Sequence, residues 1–162
     1  MRFDMSEFAN LKNYILGATA GIVTNISLIV GLGSAGAGKG PILGGLLTIA
    51  LADNISDSLG IHLYKETGRT EEKMTWAATV LNFFARLVVS LSFIAIVLAF
   101  SRYNAMSVAI VWGLLLLTFI SYLIARSRNE KSLLEVLRHL LVAVIVIALS
   151  WLMGYLISRH FS

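Results

Sequence analysis

Five long apolar segments, separated by short polar ones, take up most of the chain. We place them at about 12–33, 41–63, 75–100, 105–125 and 134–157. Each is close to the roughly 20 residues that a helix, rising about 1.5 Å per residue, needs to cross a bilayer core of about 30 Å. The pattern therefore predicts five transmembrane helices in an all-α integral membrane protein, with residues 1–162 forming a single transmembrane domain.

The composition agrees with a membrane protein and excludes several kinds of chemistry. Hydrophobic residues make up 57% of the chain and charged residues only 14%, which is outside the range of ordinary soluble domains. The chain has no cysteine, which excludes disulfides, thiolate metal sites and cysteine nucleophiles. The connections between segments are short and carry no catalytic motif. We therefore expect no enzyme and no permanently bound cofactor.

The positive charges are distributed unequally between the two ends of the predicted helices. The N-terminal segment and the 64–74 and 126–138 connections together carry nine Lys and Arg residues, whereas the opposite side carries only Lys39, Arg102 and Arg159. The positive-inside rule then predicts a cytoplasmic N-terminus and an outside C-terminus. We expect the protein in a prokaryotic plasma membrane. Its basic residues are not interleaved with aromatic ones, so the predicted partner is membrane lipid and not nucleic acid.

A glycine-rich connection, GLGSAGAGKGP, lies between the first two predicted helices. It contains the glycine spacings of two phosphate-binding motifs. Such loops follow a strand, and the Walker type places Ser or Thr after the lysine, where this chain has Gly40. The context instead predicts a tight turn between two antiparallel spans, with Pro41 beginning the second helix.

Two glycine pairs within the spans have the spacing of close helix contacts. Gly17 and Gly21 are four residues apart in the first helix, and Gly40 and Gly44 are four apart near the start of the second. Small residues at this spacing allow helix backbones to approach closely in lipid. We expect helices one and two to pack tightly on each other or on a second copy of the chain.

The stretch ALADNISDSLG places two carboxylates inside the second predicted helix. Asp53 falls at about the bilayer midplane, and Asp57, one turn later, lies about 6 Å nearer the cytoplasm. The two share one helix face, which Asn54 and Ser58 extend. Each aspartate near the centre of a span costs on the order of 2.5–3.5 kcal/mol on insertion scales. Such residues are candidates for function, here as metal and proton carriers.

A buried positive charge is expected at the same depth. Arg86 lies near the middle of the third predicted helix and is the candidate counter-charge that tunes the protonation of the nearest aspartate. A single arginine neutralises only one of two aspartates, so one net negative charge remains per chain and two per symmetric dimer. One divalent cation balances the two negative charges of the dimer. The alternative is that Arg86 forms a purely structural pair with Asp53 or Asp57.

Neutral oxygen donors are predicted at a similar depth in the first helix. Thr24 and Asn25 are candidate auxiliary metal ligands, and Asn82 in the third helix adds a further amide. Oxygen donors of this kind suit hard cations such as Mn²⁺, Mg²⁺ or Fe²⁺ better than Cu⁺.

Titratable residues also follow the second helix at its cytoplasmic end. Glu66, Glu71 and Glu72, together with His62, are candidates for a cytoplasmic mouth that gathers cations. The alternative is an ordinary solvated loop beside a packed histidine.

Two segments then resemble a known family. The sequences GIVTNISLIVGL (21–32) and ALADNISDSLGIHLYKE (50–66) are similar to the first two helices of the vacuolar iron transporter family, also called nodulin-like. The similarity extends over essentially the whole chain through the five spans and the basic connection between helices four and five. The positions that agree with the family pattern are Gly21, Thr24, Asn25, Ala52, Asp53, Ser56 and Gly60.

The chain departs from the family pattern at two intramembrane positions and in one loop. Ala20 stands where the family has an acidic residue, and Asp57 stands where it has methionine. YKETGRTEEKMT takes the place of the Glu- and Met-rich cytosolic metal-binding segment of larger members. A thioether ligand is thus replaced by a harder carboxylate, which favours a harder cation.

The resemblance implies a homodimeric antiporter that moves Fe²⁺ or Mn²⁺ out of the cytosol in exchange for protons. Its path would be lined by helices one and two at the dimer interface. Two alternatives stay open from the sequence. One is a non-transporting scaffold or partner-binding subunit held together by an Asp–Arg pair, and the other is a transporter of another ion, either a monovalent cation or an anion near Arg86.

Overall fold

The computed structural model describes residues 5–68, 70–127 and 132–161, and this part of the chain consists of five long helices without a strand. The helices are α1 (Met5–Ser34), α2 (Lys39–Thr67), α3 (Glu72–Ala99), α4 (Arg102–Ser127) and α5 (Ser132–Phe161). All five contain a stretch that is long and apolar enough to cross a membrane. The prediction of five helices that are long and apolar enough to span a membrane is confirmed. Most of the helices extend a few residues beyond the apolar segments at each end.

The glycine-rich connection is a tight turn between two helices. Gly36 has a φ of +86°, which is the left-handed conformation that glycine adopts most easily. The amide of Ala37 donates to the carbonyl of Leu32, and that of Gly36 donates to Gly33, which together form a Schellman motif at the end of α1. Arg102 donates to the carbonyl of Gly36 at 2.8 Å and fixes the turn to the start of α4. The turn joins helix to helix and does not have the strand-to-helix arrangement of a phosphate loop.

The second helix is interrupted near its middle by one turn of π-helix, Ile49–Asp53. Regular α-helix precedes it at Lys39–Thr48 and follows it at Asn54–Thr67. A π turn inserts one extra residue and rotates the side chains that follow it, and such turns are frequent at functional sites. Here the rotation sets which side of α2 the residues after Asp53 present to α3.

The core of the bundle lies between α1 and α3. Ile22, Ile26 and Ile29 from α1 and Phe93 and Val97 from α3 are almost completely buried. Large apolar side chains along α4 and α5 are instead exposed, as expected for helices that face lipid.

Gly17 and Gly21 of α1 face α3. A Cβ added at Gly17 would lie 2.5 Å from Oδ1 and 2.8 Å from the backbone oxygen of Asn82, and one at Gly21 would lie 3.5 Å from Cα of Arg86. The expectation that these glycines pack α1 onto α2 or onto a second copy was therefore wrong, because α3 is the helix they approach.

Three of the four glycines of α2 lie on an open surface, whereas the fourth, Gly45, faces Leu28 of α1. No atom of the described residues lies within 4 Å of a Cβ added at Gly40, Gly44 or Gly60. The described residues of the chain accordingly leave the side of α2 that carries these three glycines uncovered.

A candidate charge centre in the membrane

A buried arginine and two aspartates meet at mid-length of two neighbouring helices. Asp53 is the middle residue of the 29-residue α2, and Arg86 lies at the middle of the 28-residue α3. The arginine side chain is only 2% exposed. A guanidinium at this depth needs acceptors for its N–H groups, because a buried charge without partners costs several kcal/mol.

Arg86 pairs with both carboxylates at once. Its Nη2 lies 2.7 Å from Oδ2 of Asp53, and its Nη1 lies 2.6 Å from Oδ2 of Asp57. Its Nε donates to Oδ1 of Asn54 at 2.9 Å. All three nitrogens of the guanidinium therefore have a partner on α2. We call Asp53, Asp57 and Arg86 the charge centre. The expected pairing with one aspartate is replaced by a fork that holds both.

The two aspartates lie at the edge of the contact between α2 and α3, whereas Asn54 and Ser58 lie inside that contact. Asn54 is completely buried and Ser58 nearly so, whereas the side chains of Asp53 and Asp57 are 41% and 50% exposed. Each carboxylate uses Oδ2 for Arg86, and no described residue donates a hydrogen bond to either Oδ1. The ionised centre carries one net negative charge and presents two oxygens away from the arginine.

A cavity of about 360 Å³ opens beside the charge centre. Asp57, Arg86 and Asn82 line its deep end, and Ala20 contributes a wall from α1. Tyr64 lines it two turns further along α2. We call it the carboxylate cavity. It has room for several water molecules or a partly hydrated cation, since one water occupies about 30 Å³ of liquid.

The predicted ligands of α1 do not contact the aspartates. The hydroxyl of Thr24 donates to the carbonyl of Ala20 one turn back. The amide nitrogen of Asn25, which is completely buried, donates to the carbonyl of Gly21 and to the hydroxyl of Ser90 on α3. Oδ1 of Asn25 is buried, and none of the described residues donates a hydrogen bond to it. Thr24 and Asn25 thus lie outside the charge centre in this conformation, and Asn25 joins α1 to α3.

The residues predicted for the cytoplasmic mouth occupy the end of α2 and the start of α3. Nε2 of His62 lies 3.3 Å from Oε1 of Glu66, whose side chain is 58% exposed. Glu71 is the N-cap residue of α3, and Glu72 is its first residue, both exposed. Within the described ranges, no three His, Asp or Glu residues form a group that would hold a metal ion. The structure therefore brings together His62 with Glu66 but does not join the glutamates into one site.

A polar stripe along α3 is the feature that sequence reasoning largely missed. Its members recur every three or four residues and face α1 or α2: Thr75, Thr79, Asn82, Arg86 and Ser90. All but the partly buried Thr79 are nearly inaccessible. The spacing is that of one helix face, so a search for polar periodicity within the apolar segment would have found it. Only Asn82 and Arg86 drew attention in the sequence.

The chain was compared with family models, curated proteins and solved structures, and none of them matches it.

Proposed function

We propose that the protein transports a divalent metal ion, Mn²⁺ or Fe²⁺, out of the cytosol in exchange for protons, as a short member of the vacuolar iron transporter family. The observation that carries this proposal is the charge centre, in which two half-exposed carboxylates share one buried arginine at the middle of the spans. Charged residues at this depth are costly and mark ion pathways in membrane proteins. The proposal also rests on the resemblance of segments 21–32 and 50–66 to the family.

The charge of the centre suits exchange of a divalent ion for protons. With both aspartates ionised, one chain keeps one net negative charge, and two chains around a two-fold axis keep two. One divalent cation neutralises the pair, and so do two protons. The same carboxylates are therefore occupied either by metal or by protons, which couples the two fluxes. When neither metal nor protons are bound, the positive charge of Arg86 offsets one of the two negative charges of the aspartates.

A second copy of the chain completes the metal site in this proposal. One chain offers two carboxylates, whereas cations of the Mg²⁺ and Mn²⁺ type take about six oxygen ligands. The side of α2 that carries Asp57 also carries the exposed Tyr64 and the open surface of Gly60. Half-exposed carboxylates are poorly tolerated against lipid. We therefore place a homodimer contact on this side of α2, with water completing the ligand set.

One observation favours a second candidate function, a non-transporting scaffold or partner-binding subunit. Every guanidinium nitrogen of Arg86 already has an acceptor on α2. A fork of this kind is sufficient to fix the packing of α2 on α3 without any ion passing. Because each guanidinium nitrogen of Arg86 already has an acceptor, the structure also argues against an anion bound at Arg86.

Metal-dependent thermal stability separates the candidates. A ligand that binds only the folded state stabilises it by about 2.7 kcal/mol at about 100 times its Kd. We expect Mn²⁺ to raise the Tm of the purified protein, with little effect of Na⁺ or bromide. The rise should disappear in Asp57→Asn and persist in Glu72→Gln, which removes a carboxylate from the surface. A rise with Na⁺ or bromide alone would indicate another ion, and no rise with any of them would support the scaffold.

A further inference from the structure

A pocket of about 430 Å³ lies between α2 and α3 and is separate from the carboxylate cavity. Apolar side chains line most of it, with Ile55 and Leu59 from α2 and Val80 and Phe84 from α3. Each of these four residues is about half exposed. We call this space the lateral pocket, because its exposed apolar lining faces outward from the bundle, where a membrane protein meets lipid.

The lateral pocket lies on a different side of α2 from the proposed dimer contact. Ile55 and Leu59 are each two residues from Asp57, and residues two apart in a helix do not share a face. The lateral pocket and the carboxylate cavity have no lining residue in common among those described. A second copy that contacts α2 through Asp57, Gly60 and Tyr64 therefore leaves the lateral pocket open to lipid.

The lateral pocket has the depth of one leaflet. Its inner end, at Ile55 and Phe84, lies two residues from Asp53 and Arg86 respectively, or about 3 Å from the middle of the spans. Trp76, at its outer end, is ten residues from Arg86, or about 15 Å, which is half of a hydrocarbon core of about 30 Å. Tryptophan is enriched at this level of a membrane. The space therefore follows the course of one acyl chain from the edge of the core to its middle.

Charges of both signs lie just beyond the outer end of the lateral pocket. There the rings of His62 and Trp76 have centroids 4.5 Å apart. Glu66 follows one turn after His62, contacts its Nε2 at 3.3 Å and remains 58% exposed. Lys73 precedes Trp76 by one turn and is exposed. Glu66 and Lys73 are each thirteen residues along their helix from the charge centre, or about 20 Å, which places both in the headgroup layer.

This combination of charges discriminates between lipid headgroups. An anionic headgroup contacts Lys73 favourably but is repelled by the carboxylates of Glu66 and of Glu72, the exposed first residue of α3. A zwitterionic headgroup offers a phosphate to Lys73 and an ammonium to Glu66. A primary ammonium donates charge-assisted hydrogen bonds to a carboxylate, whereas a quaternary ammonium has no N–H to donate. The charges therefore favour a zwitterionic lipid with a primary amine.

We propose that the lateral pocket binds one acyl chain of a phosphatidylethanolamine molecule, with the lipid ammonium on Glu66 and the lipid phosphate on Lys73. The chain covers apolar side chains of both helices, so the bound lipid holds α2 against α3 on the side opposite to the charge centre. The inference does not rest on the proposed antiport, because neither Asp53 nor Asp57 lines this pocket.

Quenching of tryptophan fluorescence by brominated acyl chains measures this binding, because bromine quenches a ring that it contacts. Trp112→Phe and Trp151→Phe leave Trp76 as the single tryptophan of the chain. The protein is placed in phosphatidylcholine vesicles with a small share of brominated phosphatidylethanolamine, phosphatidylcholine or phosphatidylglycerol, all with the same chains. We expect the ethanolamine lipid to bind about fivefold more strongly than the other two, the order of one charge interaction at a membrane surface.

Neutral variants test the two headgroup contacts without changing the lateral pocket. Lys73→Gln removes the phosphate contact and Glu66→Gln the ammonium contact, so each should abolish most of the preference for the ethanolamine lipid. Glu71→Gln is the matched control, because it removes an exposed carboxylate that precedes α3, and it should leave the preference unchanged. Val80→Phe narrows the pocket and should abolish the preference although both charges remain. If Val80→Phe does not fold, the two surface variants carry the test.

Three results would overturn the inference. Equal quenching by the three lipids would show that Trp76 contacts only bulk lipid. Stronger quenching by phosphatidylglycerol would show that the headgroup is anionic. An undiminished preference in both Lys73→Gln and Glu66→Gln would contradict the two assigned contacts. These measurements require neither metal nor proton transport, so the inference and the proposed antiport fail separately.

Discussion

Nη1 of Arg86 lies 2.6 Å from Oδ2 of Asp57, and the same guanidinium also holds Asp53 at 2.7 Å. The arginine is buried, whereas both carboxylates are accessible on the other side. A planar guanidinium presents N–H groups in a fixed fork, and this allows one side chain to hold two carboxylates. The arrangement fixes the centre of α2 to the centre of α3 and leaves two carboxylate oxygens available to a cation.

Removing the arginine should destabilise the protein strongly. Arg86→Met leaves two carboxylates without a counter-charge at mid-membrane depth, and breaking a buried ion pair in this way costs about 3–5 kcal/mol. We expect a large fall in the Tm of the detergent-solubilised protein. Adding Asp53→Asn and Asp57→Asn to the same chain removes the uncompensated charges and should recover most of the loss. A triple variant no more stable than Arg86→Met would show that packing of the arginine, and not charge, is what the fold requires.

The close contact of α1 with α3 should depend on Gly17. Gly17→Ala places a methyl group 2.8 Å from the backbone oxygen of Asn82, so the helices must separate. Overpacking of this kind costs about 1–3 kcal/mol. Gly44→Ala is the matched control on an open surface, where alanine is the better helix former and no loss is expected. Equal effects of both substitutions on the Tm would contradict the close contact of α1 with α3 at Gly17.

The proposed dimer contact is open to a direct test, because the chain contains no cysteine. Ser56→Cys lies on the exposed side of α2 and should form disulfide-linked dimers on mild oxidation in membranes. Leu115→Cys, on an exposed side of α4, should remain monomeric under the same conditions. The measurement is the fraction of dimer on a non-reducing gel. Cross-linking through Leu115→Cys but not through Ser56→Cys would move the contact away from the charge centre.

Sequence patterns were sufficient for the helices and for the depth of the charges. Hydropathy and length determine which segments span a bilayer, and counting residues from the helix ends places Asp53 and Arg86 at the same level. These quantities depend only on the distance along each helix. The structure confirms five helices of membrane-spanning length, and it pairs Asp53 with Arg86 at the middle of their two helices.

Contacts that depend on rotation of one helix against another were not predictable in the same way. The π turn at Ile49–Asp53 changes the direction in which Asn54 and Asp57 point, and no periodicity in the sequence reveals it. The fork of Arg86 onto both aspartates depends on how α2 is rotated against α3. The predicted packing partner of Gly17 was wrong for a related reason. Glycine spacing identifies a helix face for close packing but not the helix that packs against this face.

Transport of Mn²⁺ by the purified protein is the most direct test of the central claim that the charge centre exchanges a divalent metal for protons. In proteoliposomes, a Mn²⁺ gradient should drive a proton flux in the opposite direction, and Asp57→Asn should abolish it. That variant keeps Asp53 as a counter-charge for Arg86, so we expect it to remain folded, and circular dichroism in the same preparation provides the control. Proton flux that is equal in Asp57→Asn and in the unaltered protein would contradict the claim.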